Sequence, residues 1–281
     1  MPTLLEIVKK TTEFLEAKGV ENPRLNAELL IGRALGLPRM ELYLQFERML
    51  SAPELDMIRP MVKRRSQREP LQYILGEQEF FRIKLKVDRR ALIPRPETEQ
   101  LCEVITELLS QPPLTILDLG TGSGAIALAL AAFYPNAMVT GLDVSGEALA
   151  LAGENTVALG LAARVRLLAS DWFSAVEPGS RFDLIVANPP YLSEAETAVT
   201  EPEVRGYEPK IALSPGTDGT EALDRIIAEA GRYLADGGML AVETGIEQHA
   251  RLRDLASAAG FARVESRRDL SGRDRYFLVW R

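Results

Sequence analysis

Thr115-Ile116-Leu117-Asp118-Leu119-Gly120-Thr121-Gly122-Ser123-Gly124 sets an apolar, strand-like run directly before a glycine-rich turn, and a further apolar run at helical length, residues 125–132, follows it. Glycines at such a turn let the backbone reverse sharply and let a ligand lie against it, at the N-terminus of the next helix. The pattern of strand, turn, helix and strand then recurs. Candidate strands fall at residues 115–119, 138–143, 165–169, 182–187, 238–243, 263–266 and 275–280, with helical runs between most of them. This alternation predicts an α/β fold built on a doubly wound sheet.

Open sheets of this kind bind ligands outside the carboxyl ends of their strands. The second strand ends at Asp143, about twenty residues beyond the glycine loop, where a carboxylate can accept hydrogen bonds from two ribose hydroxyls. Ser170-Asp171-Trp172-Phe173 follows the third strand and offers an acid and an aromatic face suited to an adenine. Asn188-Pro189-Pro190-Tyr191 follows the fourth. Its side-chain carbonyl and backbone carbonyl could accept both N–H bonds of a planar amino or amide group, with the Tyr191 ring packed on the plane. Gly120-x-Gly122-x-x-Ala125 also satisfies the dinucleotide fingerprint, so an NAD-dependent oxidoreductase competes. The Asn-Pro-Pro-Tyr site has no obvious use in hydride transfer.

Upstream, residues 1–75 read as a small helical domain. Leu4, Leu5, Ile7, Val8, Phe14 and Leu15 recur near helical spacing behind Thr3, Asn22-Pro23 reads as a cap followed by proline, and Gly36 closes that helix. Ser51-Ala52-Pro53-Glu54 is a capping-box signature opening a helix that leads into Lys63, Arg64, Arg65 and Arg68, a charge cluster expected to form a solvated face. Residues 76–98 read as a hairpin and connector ending in Ile93-Pro94-Arg95-Pro96-Glu97-Thr98-Glu99, which two prolines stiffen before a helix over 99–109. Residues 99–281 form the expected catalytic domain.

The chain has 281 residues, 46% of them hydrophobic, enough to bury a sizeable core. One cysteine, Cys102, and one histidine, His249, allow neither an internal disulfide nor a cluster of soft metal ligands, so no metal is expected. Cys102 reads as a small apolar helix residue and His249 as a surface or helix-end residue. The net charge of −7 is uneven. Residues 1–90 hold 17 Lys and Arg against 13 Asp and Glu, whereas the remainder hold 16 against 27. An acidic catalytic part argues against nucleic acid as the main ligand, since neutralising phosphates supplies most of that affinity. No secretory leader pattern and no run long enough to span a bilayer are read, which predicts a cytoplasmic protein, expected to be a monomer.

Taken in order, Asp118 to Gly124, Asp143, Asp171-Trp172 and Asn188 to Tyr191 resemble the class I S-adenosylmethionine-dependent methyltransferases that act on exocyclic or amide nitrogens. Pro70-Leu71-Gln72-Tyr73-Ile74-Leu75-Gly76-Glu77 and the segment from Ile93 to Glu99 narrow the resemblance to the release factor glutamine methyltransferase family, over nearly the whole chain. That resemblance implies a helical N-terminal domain joined to a seven-stranded, Rossmann-like methyltransferase sheet. It also implies transfer of a methyl group from S-adenosylmethionine to the glutamine side-chain nitrogen in the Gly-Gly-Gln motif of class 1 peptide chain release factors. Carried over by position, Gly120, Thr121, Gly122, Ser123 and Gly124 hold the methionine part of the cofactor, Asp143 the ribose and Trp172 the adenine. Asn188 touches cofactor and substrate, and Pro189, Pro190 and Tyr191 complete the substrate site. Residues 1–75 are expected to dock the protein partner. Phe81-Arg82-Ile83 departs from the family pattern, where a glycine is expected after the aromatic pair. Competing readings are an adenine-N6 DNA or RNA methyltransferase, whose amino group suits the same trap, and a binding module that keeps only the cofactor fold.

Overall fold

The computed structural model describes residues 1–214 and 216–281, which form two compact units. The first comprises Met1–Glu77 with Glu201–Tyr207, and the second Gln78–Thr200 with Glu208–Arg281.

The first unit is helical: α1 Leu4–Glu16, α2 Pro23–Leu35, α3 Arg39–Leu44, α4 Ala52–Ser66 and α5 Leu71–Leu75. Reciprocal capping boxes open two of them, Thr3 with Glu6 on α1 and Ser51 with Glu54 on α4. Leu4, Val8, Ile31, Leu42, Leu50 and Ile58 pack as one apolar cluster, and Leu15, Val20, Ala27, Leu30 and Ile74 as a second. One sequence expectation fails here and another holds only in part. Asn22 does not cap α2 with its side chain. It takes a left-handed conformation (φ 48°), and its carbonyl is used by the buried Asn26 amide instead. The basic cluster is a solvated face only in part: Lys63 and Arg64 are exposed, but Arg65 is buried and Arg68 half-buried. Arg64 pairs with Glu69, while the buried Arg65 donates to Asn26 (2.7 Å), to the Glu69 carbonyl (3.0 Å) and to Glu203 (2.9 Å). Arg68 closes on both oxygens of Glu203 at 2.7 Å. A buried guanidinium requires such partners, and its charged one, Glu203, is supplied by a segment far along the chain.

The second unit begins with a two-stranded hairpin, β1 Glu77–Phe80 and β2 Ile83–Lys86. Its two-residue turn places Phe81 at φ 41° and Arg82 at φ 69°. Hairpin turns of this length favour that left-handed pair, which ordinarily selects Asn-Gly. Helix α6, Pro96–Leu108, then starts three residues earlier than its spacing suggested, with Pro96 in the first turn where no N–H is needed.

The sheet follows: β3 Thr115–Leu119, α7 Ala125–Phe133, β4 Met138–Asp143, α8 Gly146–Ala158, β5 Val165–Ala169 and β6 Phe182–Ala187. Short helices α9 Glu194–Ala198 and α10 Pro202–Tyr207 precede α11 Glu221–Ala230, β7 Leu234–Glu243, α12 His249–Ala258, β8 Arg263–Arg268 and β9 Asp274–Trp280. The seven strands run β5-β4-β3-β6-β7-β9-β8, parallel except at β9, which is antiparallel to β7 and β8. Strand order reverses between β3 and β6, the switch point at which a doubly wound sheet opens a crevice. Leu117, Leu119, Ile185, Ala187, Leu240, Val242, Phe277 and Val279 bury one face beneath α11 and α12. Cys102 is buried on α6 as expected, and His249 begins α12 but is buried rather than at the surface.

Candidate active site

Register decides which side chains meet. Leu119 lies opposite Leu142 on one side and Ala187 on the other, Asp143 opposite Ala169, and Ala187 opposite Val242. The residues that follow or end these strands, namely Gly120, Asp143, Ser170, Asn188 and Glu243, are therefore arrayed along one carboxyl edge.

The glycine loop is held from beneath. Thr121 N–H donates to the Leu142 carbonyl at 2.8 Å, and the Thr121 hydroxyl to Asp118 at 2.6 Å. Asp118 also accepts the Ala127 N–H (3.1 Å), fastening the loop to the first turn of α7. Burial pushes the Asp118 carboxyl up to about 7. Asp143 ties the neighbouring loop in, accepting Gly122 N–H at 2.8 Å on one oxygen and Ser145 N–H at 2.9 Å on the other. Gly124 has φ 84°, and a Cβ there would stand 2.9 Å from Leu128, so neither the conformation nor the space admits a side chain.

A cavity of about 470 Å³ opens over this edge, within the range of small-molecule sites. Gly120, Thr121, Gly122, Ser123, Asp143, Trp172, Asn188 and Pro190 line it. Gly124, Pro189 and Tyr191 do not. Gly124 lies behind at the helix start, Pro189 is buried, and Tyr191 turns its hydroxyl toward Glu243. Trp172 takes φ 49° and its ring stands over Gly120. Asp171, beside it, is paired with Arg225 of α11 at 2.7 Å.

Asn188 has partners that its own motif does not contain. Its Nδ2 donates to Thr98 Oγ1 at 2.8 Å, Thr98 donates to Glu243 Oε2 at 2.7 Å, and Tyr191 donates to Glu243 Oε1 at 2.9 Å. Thr98 and Glu243 are buried. Burial raises the Glu243 carboxyl above the usual range against the pull of its two hydroxyl donors and Arg275, and burial, then Glu243, raises the Tyr191 phenol. On the connector, Arg95 and the Ile93 N–H both bind Glu208. Sequence reading did not single out Thr98, Glu243 or Arg225 for a role. The available signal was Glu243 itself, a charge ending the apolar run Met239-Leu240-Ala241-Val242 at the ligand edge.

A switch-point cavity floored by a glycine loop and flanked by a strand-end aspartate is a nucleoside-cofactor site, and residues 98–203 match the methyltransferase small domain, which makes the class a methyltransferase. Two solved structures share the fold: a methyltransferase from Pyrococcus furiosus (TM-score 0.52, 21% identity, 70% of this chain and 87% of that one) and the 16S rRNA N2 G1207 methyltransferase of T. thermophilus (0.53, 20%, 73% and 49%). Residues 6–76 match the PrmC N-terminal domain. Two curated relatives are release factor glutamine methyltransferases, from Geobacter sulfurreducens (43% identical, 97% of this chain and 95% of that one) and Moorella thermoacetica (42%, 99% and 99%). The chain belongs to the release factor glutamine methyltransferase family.

Proposed function

We propose that this enzyme transfers a methyl group from S-adenosylmethionine to the side-chain amide nitrogen, N5, of the glutamine in the Gly-Gly-Gln motif of class 1 peptide chain release factors. Family membership supports the substrate class, and the direction of the Asn188 amide is the observation that carries the chemistry. With Nδ2 committed to Thr98, Oδ1 is left as an acceptor on the cavity wall.

The glycine loop, Asp143 and Trp172 fit the cofactor: a bare backbone floor at Gly120 and Gly122, a carboxylate with a further lone pair on each oxygen, and an aromatic ring above the loop. S-adenosylmethionine supplies a sulfonium methyl as the electrophile. An amide nitrogen is a poor nucleophile because its lone pair is delocalised into the carbonyl. Asn188 Oδ1, on the cavity wall, accepts one of its two N–H bonds and holds the amide so that the nitrogen can pyramidalise and present its lone pair. Orientation of this kind contributes about 7 to 11 kcal/mol to lowering a barrier. No strong general base is assigned, because the proton can leave after transfer.

Residues 1–75 are placed in this reading as the docking element for the protein substrate, since one glutamine side chain offers too little surface to identify a whole factor. A cytoplasmic location belongs to this reading, because the substrate it names is a translation factor. The test is transfer of radiolabelled methyl from S-adenosylmethionine to a purified class 1 release factor, with adenine-containing oligonucleotides as the competing acceptor. Labelling of the factor supports the reading. Labelling of the oligonucleotide alone replaces it with an adenine-N6 activity.

A further inference from the structure

Asn188 can face the substrate in two ways, and only one of them works. With Oδ1 outward it accepts the glutamine N–H. With Nδ2 outward it meets that N–H donor to donor. Shape does not choose between these, because the two ends of an amide are nearly the same size. The hydrogen-bond chain behind it does choose. An ionised carboxylate only accepts, so Glu243 consumes the hydroxyl hydrogen of Thr98 (2.7 Å) on one oxygen and that of Tyr191 (2.9 Å) on the other. Thr98 Oγ1 then has only lone pairs left, and the Asn188 group within 2.8 Å of it must be the donor, Nδ2.

We propose that Thr98 and Glu243 are positioning residues, the ionised Glu243 fixing through the Thr98 hydroxyl the direction of the Asn188 amide so that Oδ1 faces the substrate nitrogen. This rests on the glutamine-methylation reading above. A proton on Glu243 would reverse the chain: Glu243 would donate to Thr98, Thr98 to Asn188 Oδ1, and Nδ2 would face the substrate. Groups on β9, on α6 and in the loop after β6 act on that proton. Arg275 on β9 favours the carboxylate. Glu97 on α6 opposes it, while Tyr191 after β6 stabilises it by its hydrogen bond. Burial first, with the Glu243 charge among the lesser causes, raises Tyr276 on β9 and Cys102 on α6. Burial outweighs the favourable contacts and raises the Glu243 carboxyl, so the proton that reverses the chain is taken up at higher pH than an ordinary carboxylate would take it.

The experiment compares wild type, Thr98→Val and Thr98→Ser in steady-state methylation of a class 1 release factor across pH, with calorimetric S-adenosylmethionine affinity and melting temperature alongside. Valine keeps the shape and removes the hydroxyl. Serine restores it. The expected result is a Thr98→Val kcat lower by about tenfold or more, with cofactor affinity little changed, and rescue by Thr98→Ser to within about threefold of wild type. Wild-type kcat should rise along a one-proton acid limb that Thr98→Val lacks. Equal loss in the valine and serine variants, or a valine kcat within about twofold of wild type, overturns the proposal. Should the valine variant fail to fold, the wild-type profile decides: an acid limb supports the proposal, and a kcat independent of pH overturns it. Absence of wild-type transfer to the factor contradicts the functional reading instead.

Discussion

Arg65 donates to Glu203 at 2.9 Å although 138 positions separate them, so the helical unit is completed by a segment that the chain reaches only after its fourth parallel strand. Arg68 grips the same carboxylate at 2.7 Å through two nitrogens. Burial alone would raise Glu203, but its bonds to Arg68 and Arg65 outweigh that and hold it below the usual carboxylate range. Glu203→Ala leaves Arg65 buried without its charge partner and should cost about 3 kcal/mol in urea unfolding at neutral pH. Because the folded value is depressed, this stabilisation is present above the unfolded carboxylate value and lost as pH falls through the folded one. Wild type and variant should therefore converge in acid. An undiminished stability in Glu203→Ala at neutral pH contradicts the clamp.

Asp143→Ala should weaken S-adenosylmethionine binding at least about tenfold, since charge-assisted hydrogen bonds are the stronger kind. The same carboxylate pins Gly122 and Ser145, so melting temperature must be recorded with calorimetry. Unchanged affinity in a folded variant removes Asp143 from the cofactor site.

Asp118 reverses the sign seen at Glu203. Its folded value, about 7, lies above its unfolded one, so its contribution to stability is full below pH 4 or so and declines as pH rises toward 7. Asp118→Asn keeps the acceptor for Thr121 and Ala127 and removes the charge. Its melting temperature relative to wild type should be higher at pH 8 than at pH 5. A difference that does not change with pH contradicts the assignment.

Arg82→Gly should stabilise the second unit. A residue with a Cβ at φ 69° carries about 1 to 2 kcal/mol of left-handed strain, of which the greater unfolded-state entropy of glycine returns about half. A gain of about 0.5 to 1 kcal/mol in denaturant midpoint analysis is expected. A loss would show that Arg82 makes compensating contacts.

Those outcomes also mark what the chain discloses by itself. Strands β3 to β6 were legible to the residue because each is a short, largely apolar run closed by glycine, aspartate, serine or asparagine, and the glycine loop, Asp143 and Asn188 followed from their places at strand ends. β7 was read four residues short, since Ala235-Asp236-Gly237-Gly238 breaks the apolar run where the register with β6 shifts. Arg65 looked solvated because neighbouring positions are charged, and nothing local reveals a partner on α10. Thr98 and Glu243 are 145 residues apart, and it takes both the pairing of β7 with β6 and the packing of α6 beside them to bring the two to Asn188. Long-range pairing of polar groups leaves no periodic trace in a sequence. Apolar burial does.

The proposed role of Asn188 in presenting a glutamine amide nitrogen for methylation is read directly by mass spectrometry of the product. A class 1 release factor incubated with the enzyme and S-adenosylmethionine should gain one methyl group, located by fragmentation on the side-chain nitrogen of the Gly-Gly-Gln glutamine. Asn188→Ala should fold, keep a melting temperature close to wild type, and lose most of that product, by about a hundredfold or more. A methyl group found at another residue, or a folded Asn188→Ala that methylates the same glutamine at near wild-type rate, would contradict the claim.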